Sequence, residues 1–285
     1  MGLCISALEA VDIAVNDFLD SQSRYYKESK QANDYLAKKK NASATTNGHV
    51  NAVLKSDLSP IYPSLPNAAK KYHCKSVYDG DTLTLNDGSK VRLLGIDTPE
   101  LKEKQPFALE AKEYTNKYCH GKDIWLTFIE ESGGGGNDDT KNKDHYGRLL
   151  AFIWVPLEDN EGATKRGKRP RQSSSSNAQW LCINEGLVAA GLAHAYTPSK
   201  SKKPHNHAKL LAMQKLARVH KRGQWKAFKD YGAIVTSSGS AFHKGKKKKS
   251  KESDCKFLAR SKNLSLISVS EAYDKGLHPC RNCFG

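Results

Sequence analysis

The sequence lacks any long apolar run. Hydrophobic residue types make up 38% of its 285 residues, below the roughly 45–50% of typical soluble domains. No window approaches the ~18 consecutive apolar residues that a membrane-spanning helix needs, which excludes an integral membrane protein. Four Trp, twelve Tyr and eight Phe are still present. We therefore expect a folded core accompanied by solvated segments.

Acidic residues are also scarce. The chain has 30 Asp and Glu against 46 Lys and Arg, a formal net charge of +16. Residues 1–60 are balanced, with seven charges of each sign, whereas residues 232–285 hold eleven basic and four acidic residues. A basic middle and C-terminal part favour a polyanionic partner, either nucleic acid or an anionic membrane surface. A solubilising surface would produce the same excess of basic residues.

A secretory signal is not apparent. Glu9 and Asp12 interrupt the apolar stretch near the N-terminus, and no basic segment precedes it. The seven cysteines are scattered along the chain. Without a signal, this pattern indicates reduced thiols in a cytosolic compartment.

The first six residues carry a lipidation pattern. Met1–Ser6 fit M-G-x-x-x-[ST], in which Gly2 accepts myristate, and Cys4 lies where palmitate is often added. Two acyl chains anchor a protein stably, whereas one binds only marginally. We predict attachment to the cytoplasmic face of a membrane, the plasma membrane in particular, with cytoplasm or nucleus as alternatives. A chance match or an expression scar would explain the same residues.

Composition divides the chain into four parts. Residues 1–59 combine the acylation motif with an amphipathic helical pattern and a Ser/Thr/Asn-rich linker. Residues 60–231 form the predicted main domain. Residues 232–251 are rich in Ser and Gly and then in Lys, which predicts a disordered basic linker. Residues 252–285 are predicted to be a small separate module.

The main domain has the pattern of a small barrel. Short β-branched or alternating segments lie at 71–78, 82–85, 90–96, 123–129 and 148–155. Asn86-Asp87-Gly88 predicts a hairpin turn between the second and third of them. Helical patterns follow at 106–119, 178–190 and 205–220. We therefore predict an α+β fold, a five-stranded OB-type barrel with three helices.

Four carboxylates lie at strand ends and turns, namely Asp79, Asp81, Asp97 and Glu100. The hairpin should bring Asp81 and Asp97 together. Two carboxylates and a loop carbonyl form an oxygen site suited to Ca²⁺ or Mg²⁺ rather than Zn²⁺. Taken alone, each motif has an ordinary explanation, because Asp-Gly-Asp is a common turn and Asp-Thr-Pro-Glu a common helix start.

Two arginines accompany these acids. Arg92 and Arg148 lie at the starts of predicted strands, and two guanidinium groups facing a metal suit the charge of a phosphodiester. The remaining carboxylate, Glu100, could orient or deprotonate an attacking water. The combination points to phosphodiester chemistry more strongly than any single motif.

These motifs together resemble the staphylococcal (micrococcal) nuclease family, or thermonucleases, over residues 72–225. The stretches that carry the resemblance are VYDGDTL, VRLLGIDTPE, FALEAKEYT, DHYGRLLAFIWV, CINEGLVAAGLAHAYTP and the closing GQW. The resemblance implies an OB-fold barrel with three helices. It also implies Ca²⁺-dependent cleavage of DNA and RNA, with single-stranded or frayed substrates preferred and 3′-phosphate ends left behind.

The resemblance also assigns roles to individual residues. It implies that Asp81, Asp97 and the Thr98 carbonyl hold calcium and that Asp79 lies just behind them. Arg92, Glu100 and Arg148 match the family's catalytic residues, while Tyr146, Tyr196 and His145 match its nucleotide pocket. The chain departs from the family at His145, where bacterial enzymes often have Lys, so phosphate contact there would depend on pH.

The C-terminal cysteines suggest a second metal. Cys280 and Cys283 form a C-x-x-C, with Cys255 and His243 upstream, and the segment resembles a small Cys/His module appended to some bacterial nucleases. A structural Zn²⁺ site is sensible because a 34-residue end, residues 252–285, has little core of its own. Free thiols or a redox pair remain the alternatives.

Three functions therefore remain open. The first is a monomeric calcium-dependent nuclease that acts on DNA and RNA with little sequence preference. The second is a non-catalytic nucleic-acid-binding module, as OB folds often are. The third is a membrane-tethered adaptor that uses the N-terminal anchor and an anionic membrane surface.

Overall fold

The computed structural model describes residues 58–129, 142–157, 179–197, 204–245, 253–261 and 263–284. The described residues from Pro60 onward form one compact unit. The predicted helical extension and the lipidation residues Gly2 and Cys4 lie outside the described ranges. Within those ranges, no helix has the length and apolar character required to cross a membrane.

The first half of the described chain is mostly strand. After a short strand β1 (Ile61–Tyr62) come β2 (Lys70–Val77), β3 (Thr82–Leu85), β4 (Lys90–Leu93) and β5 (Ile96–Asp97). The helix α1 (Ala108–Cys119) separates these from β6 (Asp123–Thr127) and β7 (Leu149–Leu157). Gly88 has a φ of +85° in the hairpin turn between β3 and β4, a conformation that favours glycine.

Five of these strands close into a barrel. The sheet order is β7-β4-β3-β2-β6, and β6 pairs back with β7. The pairings are antiparallel except for β4 with β7, which is parallel. Apolar side chains that are at most 1% exposed fill the interior, among them Leu83, Leu85, Val91, Leu93, Ile124 and Leu126. This is the predicted five-stranded OB-type barrel.

Two further helices cover one end of the barrel. They are preceded and separated by short strands, in the order β8 (Gln179–Cys182), α2 (Ile183–Ala189), β9 (His194–Ala195) and α3 (His207–Val219). Residues 179–182 were predicted as the start of a helix but instead pair with β7 and β1. Trp180 and Leu181 fit the helical period of the following residues, and tertiary strand pairing overrides it.

The buried Asn184 fastens α2 to the barrel. Its Oδ1 accepts a hydrogen bond from the Ile153 N–H at 3.0 Å, and its Nδ2 donates to the carbonyls of Leu94 at 2.9 Å and Ala151 at 3.2 Å. These backbone groups belong to β7 and to the residue just after β4. The helix therefore satisfies polar groups at the place where the two parallel strands separate.

The C-terminal residues form a second sheet. Its strands are β10 (Gly232–Thr236), β11 (Ala241–Lys244), β12 (Leu264–Ser268) and β13 (His278–Pro279). Helix α4 (Val269–Asp274) follows β12, and helix α5 (Arg281–Phe284) follows β13. We refer to the described residues of 232–284 as the C-terminal module.

This sheet corrects the prediction of a disordered linker over residues 232–251. The described residues 232–245 contain β10 and β11, while the lysine-rich remainder of that segment falls outside the described ranges. Ser237, Ser238 and Gly239 contribute to the Ser/Gly-rich composition on which the prediction rested. They form only the connection between two strands, and the apolar run of Ala233, Ile234 and Val235 is buried.

The C-terminal module shares a core with the barrel domain. Ala217 and Trp225 of the main domain cluster with buried module residues, including Val235, Phe242 and Tyr273. The Trp225 ring lies edge-on to the Tyr273 ring, with centroids 5.0 Å apart. The module therefore packs against the domain and is not an independent appendage.

Candidate active site and metal centres

The predicted acidic residues converge at one end of the barrel. Asp79 and Asp81 lie in the turn between β2 and β3, and Asp97 ends β5. Arg92 lies on β4 opposite Thr82, directly beside Asp81. The hairpin therefore brings Asp81 and Asp97 together, as expected, and we call Asp79, Asp81 and Asp97 with Arg92 the carboxylate cluster.

Arg92 connects the two acids predicted to bind metal. One guanidinium nitrogen, Nη1, forms an ion pair with Asp81 Oδ2, and Nη2 lies 2.5 Å from Asp97 Oδ1. Thr98 also reaches Asp81 Oδ2, with its N–H at 2.8 Å and its hydroxyl at 2.9 Å. Four of the predicted site residues are thus in direct contact.

The carboxylate cluster holds more negative than positive charge. Burial and the neighbouring Asp81 charge together raise the pKa of Asp79 to about 6. Burial likewise raises the pKa of Asp97 to about 6, against the opposing effect of Arg92. The buried Asp79 and Asp81 and the partly exposed Asp97 share one guanidinium group. A divalent cation would relieve this repulsion, and an all-oxygen donor set suits Ca²⁺ or Mg²⁺.

The turn that carries the acids packs directly on helix α1. The Thr115 hydroxyl donates a hydrogen bond of 2.6 Å to the Gly80 carbonyl. A Cβ atom on Gly80 would lie 2.7 Å from the Cβ of Ala111 and 2.8 Å from Cγ2 of Thr98. Gly80 is therefore required for space, and α1 fixes the positions of Asp79 and Asp81.

Glu100 lies at the open edge of the cluster. Its side chain is 43% exposed, and its backbone N–H donates to Gln105 Oε1 at 2.9 Å. It follows Asp97 by three residues, so it borders the buried acids while its carboxylate remains accessible to water. This is a suitable position for a group that handles a water molecule.

Arg148 is held by a residue that sequence reasoning missed. Its Nε lies 2.7 Å from Asp144 Oδ2, and its backbone N–H donates to Asp144 Oδ1 at 2.9 Å. Burial alone would raise the pKa of Asp144, but these hydrogen bonds hold it below its usual value. An acid four residues before an arginine, with Gly147 between them, is a turn signal that could have identified it.

The register of the barrel places the two arginines on one face. Leu149 and Leu150 of β7 pair in parallel with Val91 and Arg92 of β4. Side chains alternate along a strand, so Arg148 and Arg92 point to the same side, offset by about 7 Å along the strands. In the structure, Arg148 contacts Asp144. The position of Arg148 relative to the carboxylate cluster follows from the strand register alone.

The three predicted nucleotide-contacting residues fall into two places. His145 and Tyr146 lie beside Arg148, with ring centroids 3.7 Å apart and Tyr146 72% exposed. Tyr196 lies on the other side, where its N–H donates to the Gly95 carbonyl at 2.8 Å. Burial raises the pKa of Tyr196 and the Asp97 charge adds to this, which places the phenol beside the carboxylate cluster.

A second group of metal-binding residue types lies in the C-terminal module. The ligand atoms of His243, Cys255, Cys280 and Cys283 all lie within 4.8 Å of one another. We call these four residues the Cys/His cluster. Cys255 and Cys280 sulfurs are 3.8 Å apart, as are the Cys283 sulfur and His243 Nδ1. Tetrahedral zinc with Zn–S bonds of about 2.3 Å places sulfurs about 3.8 Å apart.

The protonation states of the cluster also suit a metal. Burial lowers the pKa of His243, which keeps the imidazole neutral as a ligand must be. Burial raises the pKa of Cys283 to about 11, so this thiol would ionise only when a cation binds it. The three cysteines of the cluster are free thiols.

One module residue reaches the barrel site and was not expected there. Arg281, between Cys280 and Cys283, places its Nη2 4.0 Å from Glu100 Oε1. The neighbouring His278 ring lies edge-on to Tyr196, with centroids 5.1 Å apart. Nothing in the sequence places residues 278–281 beside 100 and 196, because tertiary packing alone creates the contact.

Comparison with known proteins agrees with this geometry. Residues 90–227 match the family model described as "Staphylococcal nuclease homologue". This part of the chain is therefore similar to the staphylococcal nuclease homologues, and it includes strands of the OB-type barrel described above. The match covers Arg92 and Asp97 of the carboxylate cluster, Glu100 and Arg148 but not Asp79 or Asp81, and it ends at the 3₁₀ turn Gly223–Ala227.

Individual relatives agree with the family match. Thermonuclease of Staphylococcus hyicus is 32% identical over 112 residues, which cover 36% of this chain and 60% of that protein. Thermonuclease of Staphylococcus intermedius is 34% identical over 93 residues, covering 30% of this chain and 49% of that protein. An uncharacterised protein of Methanocaldococcus jannaschii is 28% identical over 124 residues, covering 35% and 56%. The chain thus spans about half the length of these relatives.

Proposed function

We propose that the protein is a calcium-dependent nuclease that hydrolyses phosphodiester bonds in DNA and RNA with little sequence preference. One observation carries the proposal: the carboxylate cluster lies next to the accessible Glu100, with Arg148 on the same barrel face as Arg92. The thermonuclease relatives and the family match support it. A basic chain of net charge +16 suits a polyanionic substrate.

Each residue has a separate task in this reaction. Arg92 and Arg148 bind the non-bridging oxygens of the phosphate and offset the charge that accumulates there. Glu100 orients a water molecule or takes its proton as the water oxygen bonds to phosphorus. The P–O5′ bond breaks, the leaving 5′ oxygen takes a proton from solvent, and the 3′ phosphate remains on the other fragment.

Calcium would be held by Asp81 and Asp97, with Thr98 beside them and Asp79 just behind. When bound, the ion supplies electrophilic polarisation of the phosphoryl group. Asp79 positions this site from behind, because its Oδ1 accepts the Asp81 N–H at 3.1 Å. The buried charge imbalance described above is the physical reason to expect a cation here.

The aromatic residues would contact the bases. Tyr146 and His145 lie beside Arg148, and Tyr196 lies beside Asp97, so a nucleotide bound to both arginines would have rings on two sides. Stacking on such rings tolerates any base. Stacking also requires unpaired bases, so we propose that single-stranded or frayed nucleic acid is cleaved faster than intact duplex.

The decisive experiment is digestion of plasmid DNA and RNA with Ca²⁺ and with EGTA. We expect cleavage only with calcium, and loss of cleavage in Arg92→Ala. Lys75→Ala, which removes an exposed cation from β2, is the control and should remain active. Activity that persists in EGTA or in Arg92→Ala would refute the mechanism. Thermal melting of each variant separates lost chemistry from lost folding.

The same assay distinguishes a non-catalytic nucleic-acid-binding scaffold. Such a protein would bind oligonucleotides with a strong salt dependence but would not cleave them under any metal condition. The cluster, with Glu100 accessible at its edge, favours the enzyme, because binding of a polyanion alone has no use for three acids gathered at one end of the barrel in a basic protein.

Membrane attachment stays a separate proposal. We propose that Gly2 and Cys4 carry myristate and palmitate and hold the enzyme, as a monomer, at the cytoplasmic face of the plasma membrane. The N-terminal sequence pattern supports this. Mass spectrometry of the protein from its native host tests it, and an unmodified Gly2 would contradict it.

A further inference from the structure

Arg281 occupies a position that its local contacts do not explain. It lies between two residues of the Cys/His cluster, yet its guanidinium approaches Glu100 of the barrel, with 4.0 Å between Nη2 and Oε1. The Arg281 side chain is 87% exposed and Glu100 is 43% exposed. An ion pair that is this long and this exposed contributes little to stability.

Arg281 nevertheless lies at the edge of the site. Its exposed guanidinium approaches Glu100, the proposed water-handling group. His278, three residues before it, lies edge-on to Tyr196, the proposed base-contacting tyrosine. A phosphate bound at the edge of the site would find a third guanidinium there, in addition to Arg92 and Arg148.

The Cys/His cluster fixes where Arg281 is. The Cys280 N–H donates to the Phe242 carbonyl at 3.0 Å, and the Cys283 N–H donates to the Cys280 carbonyl at 2.9 Å. Arg281 is therefore the first residue of a tight turn whose two ends are ligands. A metal bound by both cysteines would hold this turn, and His278 just before it lies against Tyr196.

We propose that the Cys/His cluster binds zinc and that the zinc-held turn presents Arg281 to the active-site cleft as a substrate-phosphate contact. The C-terminal module is then part of the substrate-binding surface. Zinc is structural in this proposal and takes no part in cleavage. The inference deepens the proposed function and rests on it.

The first experiment measures metal content of the purified full-length chain. We expect one zinc per chain in the wild type and in Arg281→Ala, and loss of zinc in Cys255→Ser, whose substituted ligand lies far from Arg281 in sequence. A wild-type protein without zinc would overturn the proposal. The readout does not depend on nuclease activity.

The second experiment measures steady-state cleavage of a single-stranded oligonucleotide in saturating Ca²⁺. We expect Arg281→Ala to raise KM about three- to tenfold with little change in kcat, because it removes one phosphate contact. Arg281→Lys should recover part of the loss. Arg260→Ala, which removes an exposed arginine of the same module, is the control and should leave KM unchanged.

The third experiment connects zinc to Arg281. Removal of zinc by a zinc-selective chelator, or by Cys255→Ser, should raise the wild-type KM by the same factor as Arg281→Ala and add little to that variant. Zinc loss with unchanged KM, or full additivity with Arg281→Ala, would contradict the proposal.

Binding measurements separate this inference from the proposed function. In buffer without added Ca²⁺ and without any chelator, where no cleavage is expected and zinc stays bound, Arg281→Ala should weaken oligonucleotide binding and reduce the salt dependence by about one phosphate contact. If the wild type never cleaves, the proposed function fails while this binding difference still supports Arg281. Equal binding by wild type and Arg281→Ala overturns the inference whether or not the enzyme is active.

Discussion

The carboxylate cluster and the Cys/His cluster differ in what holds them together. In the first, charged oxygen donors surround a guanidinium group, and strands with a complete apolar interior support them. In the second, three thiols and one imidazole meet, and a small apolar cluster packs around them. The hydrophobic cluster at that place consists of Ile234, Cys255, Leu258 and Cys280, and two of its four residues are themselves ligands.

The difference indicates two kinds of metal dependence. We expect the barrel to fold without a bound cation, since Arg92 already compensates part of the charge of the carboxylate cluster. The C-terminal module has a small core at its far end and a shared core where it meets Trp225. We therefore expect calcium to govern chemistry and zinc to govern structure. Four predictions test this contrast.

The largest effect should come from Glu100→Gln. The substitution removes the proton acceptor and keeps the shape, so kcat should fall by about 10²- to 10⁴-fold. The thermal midpoint should not change, because the side chain is partly exposed and the Gln105 contact uses the Glu100 backbone. Glu103→Gln, an exposed acid nearby, is the matched control. A kcat within threefold of the wild-type value would show that Glu100 is not the proton acceptor.

The second prediction concerns Cys280→Ser. Loss of a ligand should lower the thermal midpoint by roughly 5–10 °C and speed amide hydrogen exchange in Gly232–Thr236 and Val269–Asp274. Exchange in β3 and β4 should stay slow, because the barrel has its own core. Cys74→Ser replaces another buried thiol and should keep the zinc. If amide hydrogen exchange became faster to the same extent in the barrel and in the C-terminal module, the contrast between the two clusters would be contradicted.

A smaller effect is expected from Asp144→Asn. The amide can still accept the backbone N–H groups of Tyr146 and Arg148 but loses the charge that holds Arg148 Nε. Cleavage efficiency should fall about tenfold while the fold is retained. Asp87→Asn, in the exposed β3–β4 turn, provides the control. Unchanged kcat/KM would show that Arg148 needs no such support.

The smallest effect concerns pH and the boundary between barrel and module. His194 stacks on Tyr273, with centroids 4.9 Å apart and planes 3° from parallel, and burial lowers its pKa to about 4. An unfolded histidine titrates near 6.5. Between these values the unfolded chain binds more protons, so this residue makes stability fall as pH drops from about 6.5 to 4.

His194→Phe tests this pH effect. The variant keeps an aromatic ring against Tyr273 but cannot be protonated, so its thermal midpoint should fall less over that pH range than the wild-type midpoint. His120→Gln, an exposed histidine just after α1, should follow the wild type. Identical pH profiles for wild type and His194→Phe would assign the acid sensitivity to other groups.

Much of the barrel and its site could be predicted from short-range signals. Asn86-Asp87-Gly88 fixes a hairpin by turn chemistry, and that hairpin, with the short connection from β4 to β5, brings Asp81 near Asp97. Arg92 follows because it lies opposite Thr82 in the same hairpin. These relations span few residues, so local rules suffice. The four candidate zinc ligands were likewise recognisable by residue type.

The remainder depended on contacts between distant segments. The strand at Gln179–Cys182 exists because β7 offers it a partner, and residues 232–245 fold because β12 and β13 flank them. The sequence motif identified Arg148, but it did not identify Asp144, the residue that holds Arg148. The contact between Arg281 and Glu100 connects residues 181 positions apart in the sequence. No periodicity or motif predicts a contact over that separation.

The packing of Gly80 against α1 restricts how the active site can evolve. A side chain at position 80 would collide with both Ala111 and Thr98, so replacement of Ala111 by glycine would relieve only one of the two contacts. That exchange would cost helix stability of about 1 kcal/mol. Substitution at 80 and 111 is therefore coupled, and the accessible paths are few. Diversification of this protein should proceed through its loops and its C-terminal module, while the turn between Asp79 and Asp81 stays constant.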